Sequence, residues 1–180
     1  VSICTTIKGG ERMNPGKKFE QNFANSVPKE VYFMRIKDSA NNFTRSSRSS
    51  FATSNPFDCF MLYKGFFLPI ELKSTKGTSF SIQSDKLEDG KDIKYHQIKS
   101  LERAQSFENV IAGFVLDFRE SNTYWISIKD FMNFVSNTTK KSISEKDALS
   151  HNAILINKTL MRVNYKYDIG GMLNNIIVRY

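Results

Sequence analysis

Two short apolar runs in the middle of the chain constrain its fold more than any other feature. Residues 58–63 (DCFMLY) and 66–73 (FFLPIELK) have the composition of β-strands, and only Lys64-Gly65 separates them. A two-residue loop that ends in glycine is typical of a tight β-hairpin. In such a hairpin Asp58 faces Glu71, with the two Cβ atoms about 5 Å apart. We therefore expect an antiparallel hairpin with a pair of carboxylates at its open end.

Three side chains of this hairpin form a candidate site. Lys73 lies two residues beyond Glu71, so its side chain points to the same face as Glu71. Two facing carboxylates repel unless a cation or protons compensate them. Beside an ammonium group they suit Mg²⁺ with a bound phosphate, and the backbone carbonyl of Leu72 is a further possible ligand. The simpler alternative is an exposed Glu-x-Lys ion pair, worth less than ~1 kcal/mol.

Pro69 lies inside the second run of the predicted hairpin. Because proline cannot donate a hydrogen bond to a neighbouring strand, it indicates either a bulge or a strand at the sheet edge. A bulge of one residue would shift the register, so the facing carboxylates depend on its absence.

The rest of the chain predicts helices around a central sheet. The further elements that we expect are a helix capped by Asn14-Pro15 and stopped by Pro28, a strand over 30–36, a helix over 93–109, strands over 110–118 and 123–128, a helix from 128, and a short helix whose capping box is Ser142 with Glu145. Residues 154–180 show no clear pattern. This order predicts one α/β or α+β domain over residues 1–180, with a mixed sheet. A chain of 180 residues buries roughly 70% of its unfolded surface, enough for one core.

Charge and composition exclude several classes of protein. Lys and Arg number 26 against 18 Asp and Glu, and the resulting field attracts polyanions such as nucleic acid. The alternative is a basic protein whose charge only keeps it soluble. No apolar run approaches the ~20 residues of a membrane span, and no secretion signal is visible. Two Cys and two His do not suffice for a disulfide scaffold or a structural zinc site, so we expect a cytoplasmic protein.

A polar segment over residues 37–54 interrupts the pattern. It is rich in Ser, Asn and Thr and carries Arg45 and Arg48. It has no helical or strand period and few apolar side chains to bury. We expect a basic projection that becomes ordered against a ligand.

The pattern Asp58…Glu71-Leu72-Lys73 resembles the PD-(D/E)xK nuclease motif, and the chain is more closely similar to the RecU family of Holliday junction resolvases. Four segments carry this resemblance, namely 16–23 (GKKFEQNF), 55–60 (NPFDCF), 67–74 (FLPIELKS) and 95–101 (YHQIKSL). The resemblance implies a restriction-endonuclease-like fold, in which helices flank a mixed sheet. A compact member of this family would suit a phage, acting in a bacterial cell or an infected host.

The resemblance also assigns roles to the residues of the site. Asp58 and Glu71 would hold Mg²⁺, for which Mn²⁺ can substitute, and Lys73 would be the active-site lysine. Glu20 on the first helix would complete the site, and Gln97 would lie next to the metal. The sequence alone favours a surface position for Glu20 and provides no signal for Gln97.

The family acts as a homodimer that cuts four-way junction DNA symmetrically, one active site per strand. Its basic projection lies between the first and second strands and inserts at the junction centre. Here the DNA-binding residues would be Lys17, Arg35, Lys37, Arg45 and Arg48. The short projection and Pro56-Phe57, in place of small polar residues, are departures that bear on junction selectivity.

Two other functions remain open on the sequence. One is a restriction-type or repair-type endonuclease of the same fold that cuts duplex DNA. The other is a non-catalytic junction-binding module, although the intact Asp58, Glu71 and Lys73 argue against it. A basic scaffold for an acidic protein partner is a third, weaker alternative.

Overall fold

The computed structural model describes residues 14–36, 55–88 and 90–180. Within these ranges the helices and strands are, in chain order, α1 (Pro15–Ala24), β1 (Tyr32–Arg35), β2 (Cys59–Tyr63), β3 (Phe66–Thr75), β4 (Ser79–Ser81), α2 (Tyr95–Gln105), β5 (Gly113–Phe118), β6 (Thr123–Ser127), α3 (Ile128–Ser136), β7 (Ser142–Ser144), α4 (Glu145–Ser150), β8 (Ile154–Ile156), β9 (Lys158–Met161), β10 (Asn164–Tyr167) and α5 (Ile169–Ile177). The last four elements lie in the region where the sequence showed no clear pattern.

Six of the strands form one mixed sheet, in the order β1-β2-β3-β5-β6-β8. β3 and β5 run parallel, and the other neighbouring pairs are antiparallel. β9 pairs with β10, and β4 pairs with β7, in two separate two-stranded sheets. The predicted mixed central sheet is therefore confirmed.

β2 and β3 form the predicted hairpin. Tyr63 pairs with Phe66, and the same register continues without a bulge to Cys59. Lys64 and Gly65 have positive φ angles of 48° and 83°, the type I′ geometry that matches the twist of the flanking strands. The register inferred from the two-residue loop is confirmed.

Pro69 occupies neither a bulge nor an edge strand, so that expectation is wrong. It lies in β3, between β2 and β5, and pairs with Phe60 of β2. The parallel ladder to β5 is interrupted between Phe67 and Ile70. The hydrogen bond that proline cannot donate falls in this gap, on the β5 side, and the hairpin register is undisturbed.

Helices cover both faces of the sheet, as expected. α1 and α5 bury Phe23 and Leu173 against one face. α2 and α3 bury Leu101 and Phe131 against the other, where they surround Phe114 of β5. This burial is the main stabilisation of both helix layers, at roughly 1.5–3 kcal/mol for each fully buried large side chain.

The capping residues predicted for two helices can be compared with the structure. Asn14 caps α1 as predicted, and its Oδ1 accepts a hydrogen bond from the Gly16 N–H at 2.9 Å. The capping box of α4 is wrong by two residues, because Ser144 and Asp147 form it instead of Ser142 and Glu145. β7 precedes this helix and pairs with β4, which lies between the predicted hairpin and the predicted helix over 93–109, where no strand was expected.

Candidate active site

Asp58 lies at the open end of the hairpin, one residue before β2. The last main-chain pair of the hairpin joins Cys59 to Ile70. Beyond it, Asp58 Oδ2 accepts a hydrogen bond from the backbone N–H of Leu72 at 2.8 Å. Since the N–H and C=O of a strand residue point to the same side, the Leu72 carbonyl also faces Asp58. The side chain of Asp58 therefore takes the place of a main-chain partner where the ladder ends.

Glu71 is a buried carboxylate on the opposite face of β3 from Leu72. Its relative exposure is 2%, and Lys73 Nζ lies 3.1 Å from its Oε1, with the Lys73 side chain 15% exposed. An ordinary exposed ion pair is therefore excluded here. Burial raises the pKa of Glu71 to about 7, Lys73 counteracts the rise, and the negative charge of Asp58 adds to it. The buried carboxylate is thus poised to receive a cation or a proton.

Gln97 joins the second helix layer to this carboxylate. It lies in the first turn of α2, where its Oε1 accepts a hydrogen bond from the Lys94 N–H at 3.0 Å. Its Nε2 donates to Glu71 Oε1. Gln97 therefore holds the Glu71 side chain against the start of α2, which places it next to the proposed metal ligands.

Glu20 approaches from α1, on the other face of the sheet. It forms an ion pair with Arg35 at the end of β1, and Arg35 pairs across the strands with Cys59. Burial raises the pKa of the Cys59 thiol, and so do the nearby charges of Asp58, Glu71 and, least, Glu20. The structure thus brings Glu20 to the same end of the hairpin as the two carboxylates.

The donor set fits a hard divalent cation. Asp58 and Glu71 present carboxylate oxygens, and the Leu72 carbonyl lies on the same side as Asp58, in agreement with the oxygen ligands that Mg²⁺ and Mn²⁺ prefer. Among the described residues no three His, Cys, Asp or Glu side chains converge closely enough to enclose a metal. With two carboxylates and one carbonyl as its ligands, a cation here would keep positions for water or a phosphate, as Mg²⁺ commonly does.

The predicted DNA-binding residues separate into two groups. Lys17 is exposed on the first turn of α1, and Arg35 is engaged with Glu20. Lys37, Arg45 and Arg48 lie outside the described residues, as does the rest of the predicted projection.

Comparison with known proteins assigns this chain to a family. A sequence model described as "RecU: Recombination protein U" matches residues 16–169, which spans the whole site from α1 to the start of α5. The chain belongs to the RecU family. This membership confirms the family that the hairpin motif and its flanking segments had indicated.

One RecU-like relative is a protein of Bacillus subtilis (strain 168) described as "SPbeta prophage-derived uncharacterized protein YotM". It is 36% identical over 160 residues, which cover 87% of this chain and 75% of the relative. The solved structure of Hjc from Archaeoglobus fulgidus, a Holliday junction resolvase, is similar at a TM-score of 0.40 and 16% identity, over 66% of this chain and 78% of Hjc. In the described part of the chain no helix is both long and apolar enough to span a membrane.

One residue of this RecU family member contacts the active-site strand without any signal in the sequence. Arg119 follows the predicted strand over 110–118, and its Nε donates to Ser74 Oγ at 3.0 Å, one residue beyond Lys73. The contact depends on the parallel pairing of β3 with β5, which sets Thr75 opposite Phe118. No local pattern signals a pairing between strands so far apart in the chain.

Proposed function

We propose that this RecU family member is a structure-selective DNA endonuclease that resolves four-way junctions by metal-dependent hydrolysis of phosphodiester bonds. The observation that carries the proposal is the contact between Glu71 and Lys73, at 3.1 Å, with Asp58 close enough to raise the pKa of Glu71. A buried carboxylate with a second, half-buried one nearby and a single ammonium group beside it is costly for stability. Such a cost is typical of a site that is built to bind charge.

Each side chain has a distinct role in this proposal. Asp58 and Glu71 would hold Mg²⁺, or Mn²⁺ in its place, and the Leu72 carbonyl would add a ligand. When bound, the cation supplies Lewis acidity at the scissile phosphate and makes water more acidic. Lys73 would orient the attacking water and stabilise the charge that develops on the phosphate.

Gln97 and Glu20 would complete the site from the two helix layers. Gln97 fixes the orientation of the Glu71 carboxylate through its Nε2, and a second polar contact of this kind tunes a metal ligand. Glu20 would add a negative charge on the α1 side, oriented by Arg35.

Symmetric resolution needs two active sites, so we propose a homodimer that makes paired nicks. The projection over residues 37–54 would enter the junction, with Lys37, Arg45 and Arg48 on its phosphates and Lys17 adding to the field. The excess of Lys and Arg, 26 against 18 acidic residues, supports a polyanionic substrate.

The test is cleavage of a synthetic four-way junction beside a linear duplex of the same sequence, with Mg²⁺ or Mn²⁺. We expect paired symmetric cuts in the junction only, and none with Asp58→Asn. Cutting of both substrates would indicate a restriction-type or repair-type nuclease. Tight junction binding without cutting would indicate a binding module.

A second experiment tests the projection. Neutralising Arg45 and Arg48 together should weaken junction binding and reduce the slope of log Kd against log salt by about 2. Unchanged affinity and slope would show that this segment does not contact DNA.

A further inference from the structure

A pocket with a mixed polar and apolar lining lies on the α1 side of the sheet, beside the end of β3. Its volume is about 140 Å³, and its polar lining includes Lys18 and Asn22 of α1, Ser74 of β3, and Arg119 after β5. A water molecule occupies roughly 30 Å³ in the liquid, so the pocket has room for a phosphate group. Ser74 follows Lys73 in β3, so the pocket lies at the end of the active-site strand, on the opposite face from the Lys73 side chain.

Asn22 is a buried polar side chain that lacks a partner. Its relative exposure is only 5%, and it lines the pocket. Its side-chain amide makes no hydrogen bond to any residue in the part of the chain that the structure describes; only its backbone carbonyl is engaged, by Ser26. Among the described residues the one fully buried side-chain nitrogen or oxygen without a partner is Trp125 Nε1. The Asn22 amide therefore keeps access to the pocket and is free to donate to a group that enters it.

The pocket also carries unmatched positive charge. Arg119 contacts Ser74 through Nε and, at 3.4 Å, donates from Nη2 to the Ser74 carbonyl. Within residues 14–36, 55–88 and 90–180, neither Arg119 nor Lys18 takes part in an ion pair. The one acidic group of the lining, Asp117, is already matched by Lys158 at 3.0 Å.

Asp117 is held in place by further hydrogen bonds. It accepts from Thr123 Oγ1 at 2.7 Å and from Ser74 Oγ at 3.1 Å. With Lys158 these bonds satisfy the carboxylate inside the protein, so it does not cancel the charge of Arg119. The pocket therefore offers a guanidinium fork, an ammonium and a free amide donor, a combination that suits a phosphate.

We propose that this pocket binds one phosphate of the DNA backbone, other than the phosphate that is cut. The inference rests on the proposed function, because it needs DNA at the active site. Ser74 and Lys73 are neighbours in β3, with Cα atoms about 3.8 Å apart. Successive side chains of a strand point to opposite faces of the sheet, so Lys73 faces α2 and Ser74 faces α1. The phosphate at Arg119 would therefore be a different one from the phosphate at Lys73, on the α1 side. Lys18 and Asn22 then fix the position of the backbone, while Asp58 and Glu71 act on the bond.

The first test measures salt dependence. Arg119→Gln should weaken binding of the four-way junction about tenfold, since a hydrogen bond to a charged group is lost. It should also reduce the slope of log Kd against log salt by about 1. Arg103→Gln is the matched control, because Arg103 is exposed at the far end of α2 and should leave both quantities unchanged.

Two further variants show whether a loss of binding in Arg119→Gln comes from misfolding. Arg119→Lys keeps the charge and should retain the slope while it loses part of the affinity, because lysine lacks the planar fork. Lys18→Gln alters an exposed side chain and should reduce the slope without a change in melting temperature. If Arg119→Gln and Lys18→Gln both leave the slope at the wild-type value, the proposal is overturned.

The second test identifies the phosphate. Neutral methylphosphonate groups are placed one at a time on either side of the cut, in the wild type and in Arg119→Gln. At one position the two changes should be non-additive. The methylphosphonate there should weaken DNA binding by the wild type about tenfold, and DNA binding by Arg119→Gln hardly at all. If the two effects on affinity are additive at every position, the pocket does not bind the DNA backbone. The same conclusion follows if Arg119→Gln weakens the binding of free inorganic phosphate but not the binding of DNA.

The outcomes separate this inference from the proposed function. Normal junction cutting with no effect at Arg119 overturns the pocket alone. Equal binding of duplex and junction, with the Arg119 coupling intact, overturns junction selectivity and leaves the phosphate site standing. Absence of any DNA binding by the wild type overturns both.

Discussion

Asp58 Oδ2 accepts a hydrogen bond from the backbone N–H of Leu72 at 2.8 Å. One carboxylate thereby both closes the end of the hairpin and faces the proposed metal site. These two roles can be separated by substitution, because an amide oxygen accepts the same hydrogen bond without the negative charge.

We expect Asp58→Asn to abolish cutting, by about a thousandfold or more, because a charged ligand is lost. Junction affinity and melting temperature should stay close to those of the wild type. Asp58→Ala should also lower the free energy of unfolding by about 1 kcal/mol, since the Leu72 N–H loses its partner. Unchanged turnover in Asp58→Asn would remove this residue from the metal site.

Glu71 should make stability depend on pH in metal-free buffer. Its pKa is raised from 4.5 to about 7, chiefly by burial, so the folded state holds a proton that the unfolded state has released. Between these two pH values the free energy of unfolding therefore falls as pH rises, and above pH 7 the loss is complete, on the order of 3 kcal/mol.

Glu71→Gln should remove this loss, because a neutral amide has no charge to desolvate. We expect equal unfolding free energies for variant and wild type near pH 4.5, and a more stable variant at pH 8, as measured by urea denaturation. Mg²⁺ or Mn²⁺ should stabilise the wild type at pH 8 but not the variant. Parallel pH curves without a cation effect would contradict the assignment.

Arg35 tests whether a basic side chain positions a carboxylate or contacts DNA. Because it forms an ion pair with Glu20, Arg35→Gln should lower turnover about tenfold and leave the salt slope of junction binding unchanged. Lys29→Gln, an exposed change after α1, is the control. If the slope of log Kd against log salt instead falls by about 1, Arg35 contacts the DNA.

Gln97 should act through the orientation of Glu71. Gln97→Leu removes the bonds to Glu71 and to the Lys94 N–H, and we expect turnover to fall by about 10–100-fold. Gln105 is a matched control at the other end of α2, where it bonds to backbone groups of residues 110 and 112. Gln105→Leu should lower stability and leave turnover per folded molecule unchanged.

Gly113 should tolerate no larger side chain, because the neighbouring strand β6 lies very close to its Cα. A Cβ atom there would collide with the Ile126 carbonyl and lie 3.0 Å from the Trp125 ring. Gly113→Ala should therefore destabilise the protein by about 1–3 kcal/mol in urea denaturation. Gly170→Ala in α5, whose added Cβ has ordinary space, should be neutral or stabilising by up to about 1 kcal/mol.

Local chemistry explains what could be predicted from the sequence. The two-residue loop at Lys64-Gly65 determines the hairpin register, because few turns join strands so closely. That register brings Asp58 to the level of Glu71 and places Lys73 on the same face as Glu71. The Asn14 cap of α1 is likewise a signal confined to one helical turn. The family membership follows from such local motifs in their order along the chain.

Pairing between distant segments explains what could not be predicted. β4 could not be recognised as a strand from its sequence, because only its pairing with β7 makes this short polar segment extended. The capping box of α4 lies two residues later than its motif suggests, because pairing with β4 keeps β7 extended up to Ser144 and the helix begins only at Glu145. In both places a long-range contact overrides a short local pattern.

The sequence by itself determined the hairpin, its register and the triad of Asp58, Glu71 and Lys73. The register depends on the two-residue turn between the strands, and the shared face of Glu71 and Lys73 depends on the alternation of side chains along a strand. The tertiary structure decided that Gln97 holds Glu71, that Arg35 pairs with Glu20 and that Arg119 and Lys18 line one pocket. These contacts join opposite faces of the sheet or strands that pair in parallel across long connections. The free energy of such contacts comes from packing of the whole domain, which no local pattern encodes.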